Sequence, residues 1–226
     1  MMKNDFRRYP ATWGILIVTA LVFVGMFLIF QGQMTTSWAV YLSGGMLGEA
    51  VKLDPTQLWR LVSPIFVHIG FEHILMNGIS IYFAGRMAEQ IFGWRRFLVL
   101  YLLAGVFGNA LTLFFTPDVV SAGASTSIFG LFAAIAILGY FGHNRYLQEA
   151  GRTFTVLIVL NLMTNIFSPN VSLVGHLGGA LGGAILALAI PSRVEPNLFT
   201  KQKRGLAWLA YLAVIVVMVG VPIWLT

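Results

Sequence analysis

Gly175-His-Leu-Gly-Gly-Ala-Leu-Gly-Gly183 is an apolar run with glycine at every fourth position and one titratable side chain, His176, near its start. Gly178 and Gly182 lie beside the repeat, so neighbouring helices can approach a helix built from it almost to backbone contact. A fitting neighbour is Gly123-Ala-Ser-Thr-Ser-Ile-Phe-Gly130, continued by Ala133 and Ala134, which carries Ser125. Glycine at this spacing is common in packed membrane bundles and by itself says little. A serine and a histidine together say more, because they can form a nucleophile and its general base.

The rest of the chain reads as membrane protein. Hydrophobic residues make up 58% and charged residues 10%, with a mean hydropathy of +0.83, unlike a soluble domain. About 20 apolar residues span a bilayer core, and seven such runs can be read: 11–30, 71–92, 94–116, 122–142, 154–168, 173–191 and 206–225. They predict an all-α fold, a polytopic membrane helix bundle. Residues 1–191 form a six-helix catalytic core, 192–205 a cytoplasmic linker, and 206–226 one additional C-terminal transmembrane helix. The first run is too long for the core of a cleaved signal sequence and reads as a retained anchor. The fifth is short and carries Asn161, Thr164 and Asn165, so bundle neighbours are expected to shield it from lipid.

Positive charge gives the orientation. With the N-terminus cytoplasmic and the C-terminus outside, Lys3, Arg7, Arg8, Arg86, Arg95, Arg96, Arg145, Arg152, Arg193, Lys201, Lys203 and Arg204 all lie inside. Only Lys52 and Arg60 remain outside, in the long first loop, while the loops around Asp118 and Asn170 carry no basic residue. The net charge of +6 is thereby a topology signal, and no nucleic-acid partner is expected. The chain has no cysteine, which removes disulfides, thiolate catalysis and Cys-ligated metals.

In this orientation the second, fourth and sixth runs all travel from outside to inside. His73 with Asn77, Ser125, and His176 each fall within about two turns of the outer end of their run, at about 1.5 Å per residue. His73 and Asn77 are four apart and share a helix face. Three helices therefore bring a hydroxyl, a base and two further hydrogen-bonding groups to one depth. No Asp or Glu occurs in the fourth, fifth or sixth run, so a dyad is favoured over a triad.

At this point the chain resembles the rhomboid intramembrane serine proteases, of the bacterial type with an extra C-terminal helix. The resemblance is carried by Trp59-Arg60, by His68-Ile-Gly-Phe-Glu-His73-Ile-Leu-Met-Asn77, by Gly123-Ala-Ser125, and by His176 with Gly179 and Gly183. It implies Ser125 as nucleophile, His176 as base, and His73, Asn77 and the backbone N–H of Ser125 as oxyanion donors. Phe129, one turn after Ser125, can hold the imidazole by ring contact where the family more often has Tyr. Thr126 stands where the family usually has Gly, and its branched side chain can narrow the site. The implied activity is that of an intramembrane serine endopeptidase of a bacterial cell membrane, using no cofactor. It would act on membrane proteins whose transmembrane segment is helix-destabilised near its outer end, because an intact helix hides its backbone in internal hydrogen bonds.

Blander roles compete with each of these. Ser125 can bond back to a carbonyl one turn earlier, and His176, His73 and Asn77 can be interhelical contacts. His68 reads as a loop anchor, and its spacing from His73 is poor for joint ligation, so no metal site is expected. Trp59 and Arg60 are expected to anchor the first loop at the interface, and Glu89 to pair with Arg86 or another inner-face cation. Two other functions remain open: an inactive relative that binds client transmembrane helices, and a small-solute transporter. The second is disfavoured by spans almost free of charge and by the lack of evident inverted repeats.

Overall fold

The structure, a computed structural model, describes residues 2–167 and 172–225. Ser168, Asn170 and Thr226, which mark the end of the fifth run, an outer loop and the C-terminus, lie outside the described residues. A short helix α1 (Met2–Arg8) leads into α2 (Pro10–Phe30). The first loop folds into α3 (Ser37–Leu42), α4 (Gly48–Leu53) and two 3₁₀ turns, Pro55–Leu61 and Ser63–Ile65. Then α5 (Gly70–Ser80) runs through a π turn, Ile81–Gly85, into α6 (Arg86–Phe92). The remaining helices are α7 (Trp94–Phe115), α8 (Ser125–Phe141), α9 (Arg145–Ile166), α10 (Leu173–Ala189) and α11 (Lys201–Trp224). The fold is an all-α helical bundle.

By length and composition α2, α7 and α11 are long and apolar enough to cross a bilayer. They differ in what surrounds them: 67% of the most apolar window of α7 is buried inside the protein, against 17% for α2 and for α11. Thus α7 is the central post, while most of the surface of the other two is left for lipid. Around α7 the core packs Tyr101, Phe97, Leu100, Phe92, Leu131, Ile135 and Leu138, all fully buried. Tyr211 ties α11 to this post through its hydroxyl, 2.8 Å from the carbonyl of Leu103.

The shorter helices α8 and α10 meet along the glycine stripe. A Cβ at Gly179 would overlap the carbonyl of Thr126, and one at Gly183 the carbonyl of Gly130. On the adjacent stripe Gly178 abuts Gly108 and Gly182 abuts Phe107, both of α7. One helix therefore packs on two neighbours at backbone distance, each through its own glycines.

Three expectations are corrected. Glu89 does not pair with Arg86. Its carboxylate accepts from the backbone N–H groups of Ala11 (3.0 Å) and Thr12 (2.9 Å) and from the Thr12 hydroxyl (2.6 Å), while Arg86 pairs with Asp5 at 3.0 Å. Helix α2 opens with Pro10 and has no acidic residue of its own in its first turn, so Glu89 supplies from a distant helix the anion that free N-terminal amides favour. Second, neighbours shield the polar fifth run only in part. Helix α9 begins at Arg145, well before Phe154, and buries Leu147, Ala150, Gly151 and Phe154, whereas nothing from 155 to 165 is buried. Asn161 Nδ2 donates to the carbonyl of Leu157 at 2.8 Å and Thr164 to that of Asn161 at 2.9 Å, while Asn165 reaches across to α10. Third, the last helix starts at Lys201, five residues earlier than read, capped by the Thr200 side chain.

Candidate active site

Ser125 is the first residue of α8, at the end of an irregular segment that other parts of the chain hold in place. Ser121 exchanges two backbone hydrogen bonds with Met46, at 2.7 and 2.9 Å. The N–H of Gly123 donates to the carbonyl of Pro64 at 2.9 Å, and that of Ala124 to Nε2 of His68 at 3.3 Å. His68 is fully buried and is thus an anchor for the residue just before Ser125.

The first loop is itself knotted by Arg60. Its guanidinium donates to the carbonyls of Tyr41 (2.8 Å) and Gly45 (2.7 Å) and to Gln57 Oε1 (2.7 Å). It also lies over the rings of Tyr41 and Trp59, at 4.1 and 4.4 Å from their centroids. Asp54 starts the 3₁₀ turn bearing this pair, and hydrogen bonds from the Thr56 hydroxyl and N–H hold its carboxyl below the usual carboxylate range. Trp59 and Arg60 therefore make no contact with Ser125 or His176 among the described contacts, and Arg60 connects to the segment before Ser125 through Gly45, Met46 and Ser121.

His73 and Asn77 face the segment from α5. The N–H of Ile69 donates to His73 Nδ1 at 3.3 Å, so a neutral ring must carry its proton on Nε2. That nitrogen lies 2.8 Å, and Ser125 Oγ 3.5 Å, from the position a Cβ would take at Gly123. Gly123, at φ +133, carries no Cβ, and the His73 ring takes the space that one would need. Asn77 is 6% exposed, and its Nδ2 has no hydrogen-bond partner among the described residues.

His176 enters from the first turn of α10 and is buried. Its ring stacks on Phe129, with centroids 4.4 Å apart and planes 14° apart. Its Nδ1 lies 2.6 Å from the side-chain amide nitrogen of Asn165. No hydrogen bond joins Ser125 Oγ to His176 among the described contacts, and such bonds are often long before substrate is present. Thr126 packs between two glycines of neighbouring helices: its Cβ lies 2.9 Å from the Cβ position of Gly108, and its Cγ2 3.2 Å from that of Gly175. Asn165 is the residue that sequence reasoning missed. Its signal was only a polar side chain in an apolar run, which reads equally as helix glue.

A helical bundle gathering Ser125, His176, His73 and Asn77 near the ends of three apolar helices defines an integral, multi-pass membrane protein with the groups of a serine hydrolase. The sequence comparisons carry this further. The Rhomboid domain model matches residues 55–193, more than half of the chain. Rhomboid protease GluP of Bacillus subtilis is 30% identical over 211 residues, covering 92% of this chain and 40% of GluP. "Putative rhomboid protease YdcA" of the same bacterium is 30% identical over 194 residues, covering 85% of this chain and 94% of that protein. RHOMBOID-like protein 1 of Arabidopsis thaliana is 31% identical over 167 residues, or 72% of this chain and 43% of the relative. The chain belongs to the rhomboid family.

Proposed function

We propose that this protein is an intramembrane serine endopeptidase that cleaves transmembrane segments of other membrane proteins near their outer end through a Ser125–His176 dyad. The observation that carries the reading is the closeness of Ser125 Oγ to the protonated Nε2 of His73, which lie 3.5 and 2.8 Å from one point beside Gly123. A carbonyl that approaches this pair meets a nucleophile and a donor together. In this mechanism Ser125 Oγ attacks the scissile carbonyl carbon while its proton passes to His176 Nε2. The oxyanion is met by His73 Nε2–H, Asn77 Nδ2–H and the Ser125 N–H. As the C–N bond breaks, His176 returns the proton to the leaving amine, and a water activated by the same nitrogen then hydrolyses the acyl-enzyme.

The names of the relatives, which include rhomboid proteases, support the class of reaction. The distribution of Lys and Arg supports a cytoplasmic N-terminus, residues 192–205 inside, and the last helix ending outside. Unwound or helix-breaking segments suit such a site as substrate, since only they expose a carbonyl. Thr126 packs into the seam between α7 and α10, so its bulk is no argument for an inactive relative.

Covalent labelling by a fluorophosphonate probe in detergent tests the reading. The unmodified protein is expected to label, and Ser125→Ala and His176→Ala to lose labelling. Labelling that persists without the Ser125 hydroxyl, or that is missing from the unmodified protein, would sink it.

A further inference from the structure

The contact between His176 Nδ1 and Asn165 has no part in the mechanism above. It joins a buried helix start to the otherwise loosely packed outer half of α9. We infer that Asn165 is the positioning residue of the base, accepting the His176 Nδ1 proton through its carbonyl oxygen and so keeping the Nε2 lone pair free for Ser125. This inference rests on the Ser125–His176 reading.

The two ends of an Asn amide exchange by a half-turn, so the contact at 2.6 Å admits two arrangements. If the amino end donates to Nδ1, a neutral imidazole must carry its proton on Nε2 and cannot accept from Ser125. If the carbonyl end accepts from Nδ1–H, Nε2 is a base. Only the second lets the contact and catalysis coexist. It also completes the restraint on the ring: Phe129 fixes the plane of the imidazole by stacking, but a stacked ring can still flip edge for edge, and Asn165 distinguishes the edges. The role is that of the third member of a Ser-His-Asp triad, filled by a neutral amide. A neutral amide suits the setting, because the runs 122–142, 154–168 and 173–191 contain no Asp or Glu and an uncompensated carboxylate in a span is costly.

The ring proton can be read directly. The chain has four histidines, His68, His73, His143 and His176, so ¹⁵N-histidine spectra in detergent, with His176 assigned through the signals lost in His176→Gln, report its tautomer. The unmodified protein is expected to show Nδ1–H. Asn165→Leu should shift the ring toward Nε2–H and slow fluorophosphonate labelling by about 10- to 100-fold, less than the ~10² to 10⁴ of a whole general base. Asn165→Ala serves as the second neutral variant if the Leu variant fails to fold. Asn165→Asp, which when ionised can only accept, should keep Nδ1–H and label close to the unmodified rate. An Nε2–H tautomer in the unmodified protein, or unmodified labelling in the Leu or Ala variant, would overturn the assignment. Labelling that survives His176→Ala would overturn the dyad reading alone, since the tautomer spectra judge Asn165 without reference to activity.

Discussion

Gly123 shows how tightly the site is cut. Its φ of +133 is poorly tolerated by side chains, and a Cβ there would lie 2.6 Å from His73 Cε1. Gly123→Ala therefore has to displace either the Ser125 segment or the histidine ring. We expect labelling of Ser125 to be lost and thermal stability to fall by about 1–3 kcal/mol; undiminished labelling would mean that the segment moves independently of His73. Asn77 poses the complementary case, a buried donor without a partner among the described residues. Asn77→Ala should lower turnover by about 10² to 10³ while leaving the unfolding temperature nearly unchanged, because the amide acts on charge that exists only in the transition state. A parallel fall in stability would return Asn77 to a packing role. At this scale the sequence was legible where chemistry narrows the choice: Ser125, His176, His73 and Asn77 stand out as polar residues in apolar runs. Asn165 stands in an apolar run as well, but nothing in the chain says that it meets the imidazole of His176.

Between helices, the decisive contact is that of α8 with α10, where Gly179 and Gly183 leave no space beside the carbonyls of Thr126 and Gly130. Gly183→Ala forces the two axes apart at Gly130, the residue after Phe129. Overpacking of this kind costs about 1–3 kcal/mol, and the separation also draws His176 away from Ser125. Labelling is expected to fall further than the loss of folded protein accounts for, as judged by thermal unfolding of the same sample; proportional losses would show that the seam matters for stability alone. The apolar runs located α2, α7 and α10 nearly to the residue, because in a bilayer hydropathy and helix length are bound together. They misplaced the start of α9, whose first two turns carry Arg145, Glu149 and Arg152 and extend past any apolar limit. They also assigned Glu89 the wrong partner. The amides of Ala11 and Thr12 come to it from far along the chain, and helix pattern holds no information about such a meeting.

For the molecule as a whole, orientation is the property that charge asymmetry predicts. The chain lacks cysteine, so single-cysteine variants report cleanly. A cysteine at Asp118 should react with an impermeant maleimide in intact cells, and one at Thr200 only after permeabilisation; the opposite pattern would invert the protein and remove the common outer depth of the site.

The uneven packing of α9 has a consequence in time. Buried at Leu147, Ala150 and Phe154 but with no fully buried residue from 155 to 165, this helix is held by protein along its first half and has fewer protein contacts to hold it along the second. Amide exchange in detergent should be fast over 155–165 and slow through the centre of α7 and α8, and uniform protection along α9 would refute this. Asn165 belongs to the less packed half while His176 sits on a buried helix start, so if Asn165 positions the imidazole as inferred above, the time the ring spends aligned depends on the motion of its neighbour. The catalytic rate of so rigid a core would then follow the motion of its least rigid helix.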